Sequence, residues 1–83
     1  MIIRYFAWVR EKVGVDEERL VLPDSIQTVG DLTAYLATID DNHAAAFADA
    51  DTIRAAINQE HVDADTTIAG AQEIAFFPPM TGG

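Results

Sequence analysis

The chain has 83 residues, of which 49% are hydrophobic and 23% are charged, and its formal net charge at pH 7 is −9. A chain of this length buries only about 60–65% of its unfolded surface, so it forms one domain, and its composition is globular rather than disordered. The absence of cysteine excludes a disulfide framework, a thiolate metal site and a thiol nucleophile. The acidic excess would repel phosphate backbones and argues against nucleic acid as a partner.

The N-terminus has no basic segment or small-residue cleavage site of the kind found in signal peptides. No apolar run approaches the roughly 18 residues that a membrane span requires. We therefore expect a cytoplasmic protein that does not associate with a membrane.

The first quarter of the chain predicts a hairpin with a wide connection. Residues 2–7 are rich in aromatic and β-branched types and predict a first strand that is largely apolar on both faces. Arg4 on this strand needs a carboxylate or water as the partner of its charge. Residues 8–13 predict one or two helical turns that stop at a left-handed Gly14. Residues 15–22 predict a second strand, buried from Leu20 to Leu22.

The middle of the chain predicts helices. Thr28 and Asp31 have the spacing of a capping box, although aspartate is shorter than the usual glutamate. The following apolar stripe predicts a main core helix of roughly 12 residues and consists of Val29, Leu32, Leu36 and Ile39. Residues 43–50 predict a short helix anchored by Phe47.

The pattern of the last third predicts strands. Residues 52–57 alternate as a half-buried third strand whose inner side would hold Ile53, Ala55 and Ile57. A turn at 58–60 leads to a brief extended pair at 61–62, and residues 72–77 predict the last strand, which Pro78 ends. This order predicts an α+β fold, a mixed sheet packed on one main helix with the final strand beside the first.

The two histidines, His43 and His61, lie far apart in the chain, and no other ligands are spaced around them. Real metal sites space their ligands regularly. We therefore expect no metal site and predict that both histidines lie on the surface.

The chain ends in Phe76-Phe77-Pro78-Pro79-Met80-Thr81-Gly82-Gly83. The proline pair cannot continue a strand, so we divide the chain into a domain at 1–77 and a flexible reactive tail at 78–83, which spans about 20 Å when extended. A carboxylate reacts only after activation, and the chain has no phosphate-binding glycine motif to perform it. The chain would therefore be the substrate of an activating enzyme.

Four segments together resemble the small subunits of molybdopterin synthase, and the resemblance covers essentially the whole chain. The segments are Tyr5–Gly14, Thr28–Leu32, Ala56–Gln59 and Phe76–Gly83. One departure is Met80, which stands where a β-branched residue is common. The resemblance implies a ubiquitin-like β-grasp fold and a sulfur carrier.

The resemblance also implies roles for the tail. Gly83 would be the reacting residue, and Gly82 would keep the tail narrow beside it. Met80 and Thr81 would line the entry channel of a partner. Residues Phe76, Phe77, Pro78 and Pro79, with an apolar patch of the sheet, would form the docking surface. Strand alternation places either Phe76 or Phe77 in the core. Arg10 and Glu11 match family positions, and we interpret them as a local structural pair.

The implied chemistry needs other proteins. An E1-like adenylyltransferase would adenylate Gly83 with ATP and Mg²⁺, and a sulfurtransferase would convert it to a thiocarboxylate. The tail would then enter the large subunit, in an assembly of two small and two large subunits, and its sulfur would attack the cyclic pyranopterin precursor. The chain itself would bind no cofactor and would be a sulfur-donating subunit rather than an enzyme by itself.

Other functions remain open. The chain could be a ubiquitin-like modifier joined through Gly83 to lysines of other proteins. It could also be a sulfur carrier of another pathway, such as thiamine synthesis, although those carriers are usually shorter and lack the Phe-Phe-Pro-Pro approach. An interaction domain with an inert tail is the plainest alternative.

Overall fold

A computed structural model describes residues 1–79 of the chain. The elements are the strand β1 (Ile2–Tyr5), helix α1 (Ala7–Val13), strand β2 (Glu17–Arg19), helices α2 (Val29–Leu36) and α3 (Asp41–Ala46), a 3-10 turn (Ala50–Thr52), and the strands β3 (Arg54–Ile57), β4 (Glu60–Val62) and β5 (Glu73–Phe77). Within this part of the chain, no helix has both the length and the apolar character needed to cross a membrane.

The five strands form one mixed sheet in the order β2-β1-β5-β3-β4. β1 and β5 pair in parallel, from Ile2 opposite Glu73 to Tyr5 opposite Phe76, and the other neighbours are antiparallel. The predicted contact between the first and last strands is confirmed. It places the carboxyl end of β5 beside the end of β1.

The core lies between the sheet and the helices. Val29, Leu32 and Leu36 of α2 are buried, as the predicted stripe requires. Phe47 packs edge-on against Phe76 with ring centroids 5.2 Å apart. The opposite face of β1 is not covered by a helix, because Arg4 is exposed there and its Nε lies 2.9 Å from Glu73 Oε1. The carboxylate partner predicted for Arg4 is present, and β1 is an inner strand of the sheet with the core on one face.

The hairpin at the start of the chain is confirmed, with two corrections. β1 ends at Tyr5, because Ala7 has φ +53° and begins α1. β2 has only three residues, and Val21 is 97% exposed instead of buried. Leu20 N–H donates to Met1 O, 3.0 Å away, and Val21 follows beyond this hydrogen bond.

The helix boundaries follow their caps. Asp31 N–H donates to Thr28 Oγ1 and Thr28 N–H donates to Asp31 Oδ2, so the capping box is complete. α2 ends at Leu36, three residues before the end of the predicted stripe at Ile39, which is 39% exposed. Gly14 has φ +97° and ends α1, as predicted.

The turn between β3 and β4 has an unusual residue for its conformation. Asn58 and Gln59 have φ values of +48° and +75°, as the two central residues of a type I′ turn require. Asn58 Oδ1 accepts hydrogen bonds from the N–H groups of Gln72 and Glu73, which tie the turn to the start of β5. Gln59 has no comparable bond among residues 1–79 and bears the cost of a left-handed conformation.

We expect Gln59→Gly to stabilise the domain by about 0.5–1 kcal/mol, because glycine reaches this φ without steric cost. The urea midpoint should rise in equilibrium unfolding. The matched change Asn58→Gly should lower it, because it removes the acceptor for two backbone donors. Equal midpoint shifts for the two variants would contradict this account.

Candidate functional site at the outer face of the sheet

The strand register divides the sheet into an inner face against the helices and an outer face. The inner face holds Ile3, Tyr5, Ala55, Ile74 and Phe76, which belong to the core. The residues of the outer face are Ile2, Arg4, Glu17, Arg19, Arg54, Ala56, His61, Glu73, Ala75 and Phe77. We call this second set the outer face.

Alternation along β5 separates the two phenylalanines near the tail. Phe76 is fully buried, so one of the pair belongs to the core as predicted. This corrects the predicted partner-binding set, because a side chain with no exposed surface cannot contact a partner. Phe77 is half-buried on the outer face, and its ring centroid lies 5.0 Å from that of the exposed His61.

Two alanines occupy the centre of the outer face. Ala75 of β5 pairs with Arg4 on one side and with Ala56 on the other. Ala56 is only 7% exposed, although the alternation of β3 predicted it on the solvent side. Because both side chains are small and apolar, they cover little of the backbone, and a flat partner surface can approach it closely.

The charge of the outer face differs from that of the whole chain. It holds three of the four arginines, Arg4, Arg19 and Arg54, and only two of the fourteen acidic residues, Glu17 and Glu73. The acidic excess that gives the net charge of −9 therefore lies on other surfaces. Depletion of excess charge around an apolar centre is typical of an interface.

Phe6 extends the apolar part of the outer face. It follows β1 with extended backbone, is 46% exposed, and its N–H donates to Phe76 O at 3.0 Å. Ala7 then turns into α1 through a left-handed φ, which for a residue with a Cβ costs about 1–2 kcal/mol. The strand alternation in the sequence places Phe6 on the same face as Ile2 and Arg4, but nothing in the sequence marks Ala7 for a left-handed conformation.

The sequence profile described as the ThiS family matches residues 3–83. The chain belongs to the ThiS family. Two relatives named molybdopterin synthase sulfur carrier subunit, from Escherichia coli and Haemophilus influenzae, are 38% and 36% identical to it. Each alignment covers 98% of this chain and 96% of the relative. The resemblance found in the sequence is confirmed.

Solved structures related to this ThiS-family chain share its fold. SAMP1 from Haloferax volcanii superposes with a TM-score of 0.73 at 28% identity, covering 100% of this chain and 98% of that protein. A Pyrococcus furiosus protein named as molybdopterin converting factor, subunit 1, gives 0.69 at 28% identity, with 95% of each chain covered. The predicted α+β, ubiquitin-like β-grasp fold is confirmed.

Two further predicted positions of this ThiS-family chain lie on α1. Arg10 and Glu11 are both exposed, and no ion pair joins them in the described part of the chain. Adjacent residues of a helix point in different directions, so a direct pair is not expected from the geometry. The interpretation of these residues as a local pair was wrong.

The predicted reacting end begins where β5 stops. Pro78 is half-buried and Pro79 is exposed, and both follow the strand without joining it. Met80, Thr81, Gly82 and Gly83 lie outside the described residues, so their roles stay predictions. Among residues 1–79, no group of three or more His, Cys, Asp or Glu is arranged to hold a metal ion.

Proposed function

We propose that this chain is the sulfur carrier subunit of a molybdopterin synthase and donates sulfur from a thiocarboxylate at Gly83. The observation that carries the proposal is the alignment over 98% of the chain with relatives of that name at 36–38% identity. The Gly-Gly end, which supplies the reacting carboxyl group, lies within the region that matches the family.

The outer face suits this function because it lies next to the start of the tail. Phe77 is the last residue of β5 and belongs to the outer face, and six residues separate it from the C-terminal carboxyl group. Those residues span about 20 Å at most. A large subunit that docks on Phe77, Ala75 and Phe6 can therefore place its reaction site within reach of Gly83.

The chemistry at Gly83 requires two activation steps in the cytoplasm. An E1-like adenylyltransferase would join the carboxylate to the AMP part of ATP, with Mg²⁺ bound to the nucleotide and pyrophosphate as the leaving group. A sulfurtransferase would then supply the sulfur, and AMP would leave. The thiocarboxylate would act in an assembly of two small and two large subunits, in which each carrier donates one sulfur and returns to a carboxylate.

Reconstitution with a large subunit tests the proposal. The chain in its thiocarboxylate form should convert the cyclic pyranopterin precursor to molybdopterin, while the same chain in its carboxylate form should not. The two forms share every residue, so each is the control of the other for folding and docking. Failure of the thiocarboxylate form to convert the precursor would overturn the proposal.

A protein modifier is the second candidate, and the similarity to SAMP1 favours it. A further solved structure of similar fold, from H. volcanii, is described as small archaeal modifier protein 1. This chain has a single lysine, Lys12, so few linkages between copies are open to it. Intact mass of protein isolated from cells separates the functions: a sulfur in place of one terminal oxygen supports the carrier, and larger lysine-linked conjugates support the modifier.

A further inference from the structure

His43 is buried between two carboxylates. It lies in α3, is 3% exposed, and packs edge-on against Tyr5 with ring centroids 6.1 Å apart. Its Nδ1 lies 2.7 Å from Asp40 Oδ1, and its Nε2 lies 2.8 Å from Glu18 Oε2. The prediction that this histidine lies on the surface was wrong, whereas His61 is exposed as predicted.

The hydrogen bonds fix the state of the ring. Glu18 Oε2 already accepts a hydrogen bond from Tyr5 Oη at 2.6 Å, and Asp40 Oδ1 already accepts one from the His43 backbone N–H at 2.8 Å. An ionised carboxylate only accepts, and a neutral imidazole donates from one nitrogen alone. A neutral ring would therefore place a lone pair against a carboxylate oxygen, whereas an imidazolium donates to both.

We propose that His43 is a buried imidazolium whose hydrogen bonds to Glu18 and Asp40 hold α3 against the edge strand β2. We call this connection the clip, and loss of the His43 proton opens it. Glu18 lies on the inner face of β2, and Asp40 is the N-cap of α3. The clip thus joins two segments that are 25 residues apart in the chain. β2 needs such a tie because it has three residues and pairs on one side only.

The groups around the ring agree with this state. Burial opposes the charged ring, but the hydrogen bonds and charges of Glu18 and Asp40 outweigh it and raise the pKa of His43 above its ordinary 6.5. The backbone hydrogen bond from His43, and then its ring, lower the pKa of Asp40. Burial, and then Glu18, raise the pKa of Tyr5, which keeps this phenol a neutral donor. The buried residues of α1 are Val9 and Val13, which have no charge.

The directions of these pKa shifts determine how the stability of the domain changes with pH. The pKa of His43 is raised on folding, so its contribution to stability is complete below pH 6.5 and is lost as pH rises through the folded value. The pKa of Asp40 is lowered, so its contribution is present above pH 3.8 and is lost as pH falls through the folded value. The clip is therefore closed between the folded pKa values of Asp40 and His43, and it opens as pH rises through that of His43.

Nitrogen-15 NMR of the histidine rings tests the protonation state in the whole chain. We expect His43 to keep protons on both ring nitrogens at a pH above 6.5, the ordinary pKa of an imidazole. The loss of the His43 proton should coincide with chemical-shift changes at the backbone amides of β2. Titration of His43 at or below pH 6.5, or a single protonated ring nitrogen at that pH, would overturn the proposal.

A matched pair of variants separates charge from packing. Glu18→Gln keeps the size of the side chain and should shift the titration of His43 to lower pH. His61→Gln, which removes the other histidine, should leave that titration and the amide shifts of β2 unchanged. An unchanged titration of His43 in Glu18→Gln would show that the ring does not depend on the carboxylate and would contradict the clip.

Discussion

Deletion of Gly83 is expected to abolish sulfur transfer while the domain stays folded. The deletion moves the terminal carboxyl group to Gly82 and shortens the reach of the tail by about 3.5 Å, more than an activating site built for one geometry tolerates. Among residues 1–79 the core set ends at Phe76, so we expect the packing that stabilises the domain to be unchanged. Thiocarboxylate formation with the activating enzymes should fall below detection, and the urea midpoint should not change.

A one-atom change at the same position provides the control. Gly83→Ala keeps the length of the tail and adds only a Cβ, so a loss of activity in this variant shows that the activating channel needs a thin terminus. Full activity of the shortened chain would exclude Gly83 as the reacting residue. Loss of folding on deletion would show instead that the tail belongs to the domain.

Replacing Phe76 by alanine is expected to lower the stability of the domain, whereas replacing Phe77 by alanine is expected to weaken binding of the large subunit. Phe76 is fully buried against Tyr5 and Phe47, so Phe76→Ala should cost about 3–5 kcal/mol of the free energy of unfolding. A domain of this size has only about 5–10 kcal/mol in total, so this variant should lose roughly a third or more of its stability. Denaturant unfolding measures the loss.

Phe77→Ala should leave the domain folded and weaken its complex with the large subunit by tenfold or more, about 1.4 kcal/mol, as aromatic residues at the centre of interfaces do. Titration calorimetry with the large subunit measures the affinity. The two variants remove the same side chain from adjacent positions, so each is the control of the other. Comparable effects of both on stability would show that the outer face does not form a separate docking surface.

The outer face, which lies beside the start of the tail, also contains three of the four arginines of this acidic chain. Arg4, Arg19 and Arg54 come from three different strands, and only the sheet order brings them to one face. A partner that docks there meets an apolar centre and a nearly balanced charge. The remaining residues carry the acidic excess behind the net charge of −9, which disfavours self-association.

The sequence by itself determined the features that depend on neighbouring residues. The capping box of Thr28 and Asp31, the left-handed Gly14 and the end of the last strand before Pro78 follow from local backbone chemistry, and the structure has them where the sequence places them. The motifs at the two ends of the chain also identified the family, and the profile match confirms it.

Only the tertiary structure decided the features that depend on distant residues. The buried His43 depends on Glu18, 25 residues away in the chain, whose Oε2 lies 2.8 Å from its ring nitrogen. The left-handed Ala7 follows Phe6, whose N–H donates to Phe76 O and whose carbonyl accepts from Val9, and these contacts rather than the preference of alanine select its conformation. Local propensity cannot predict these outcomes, because the free energy that selects them comes from contacts formed after the chain has folded.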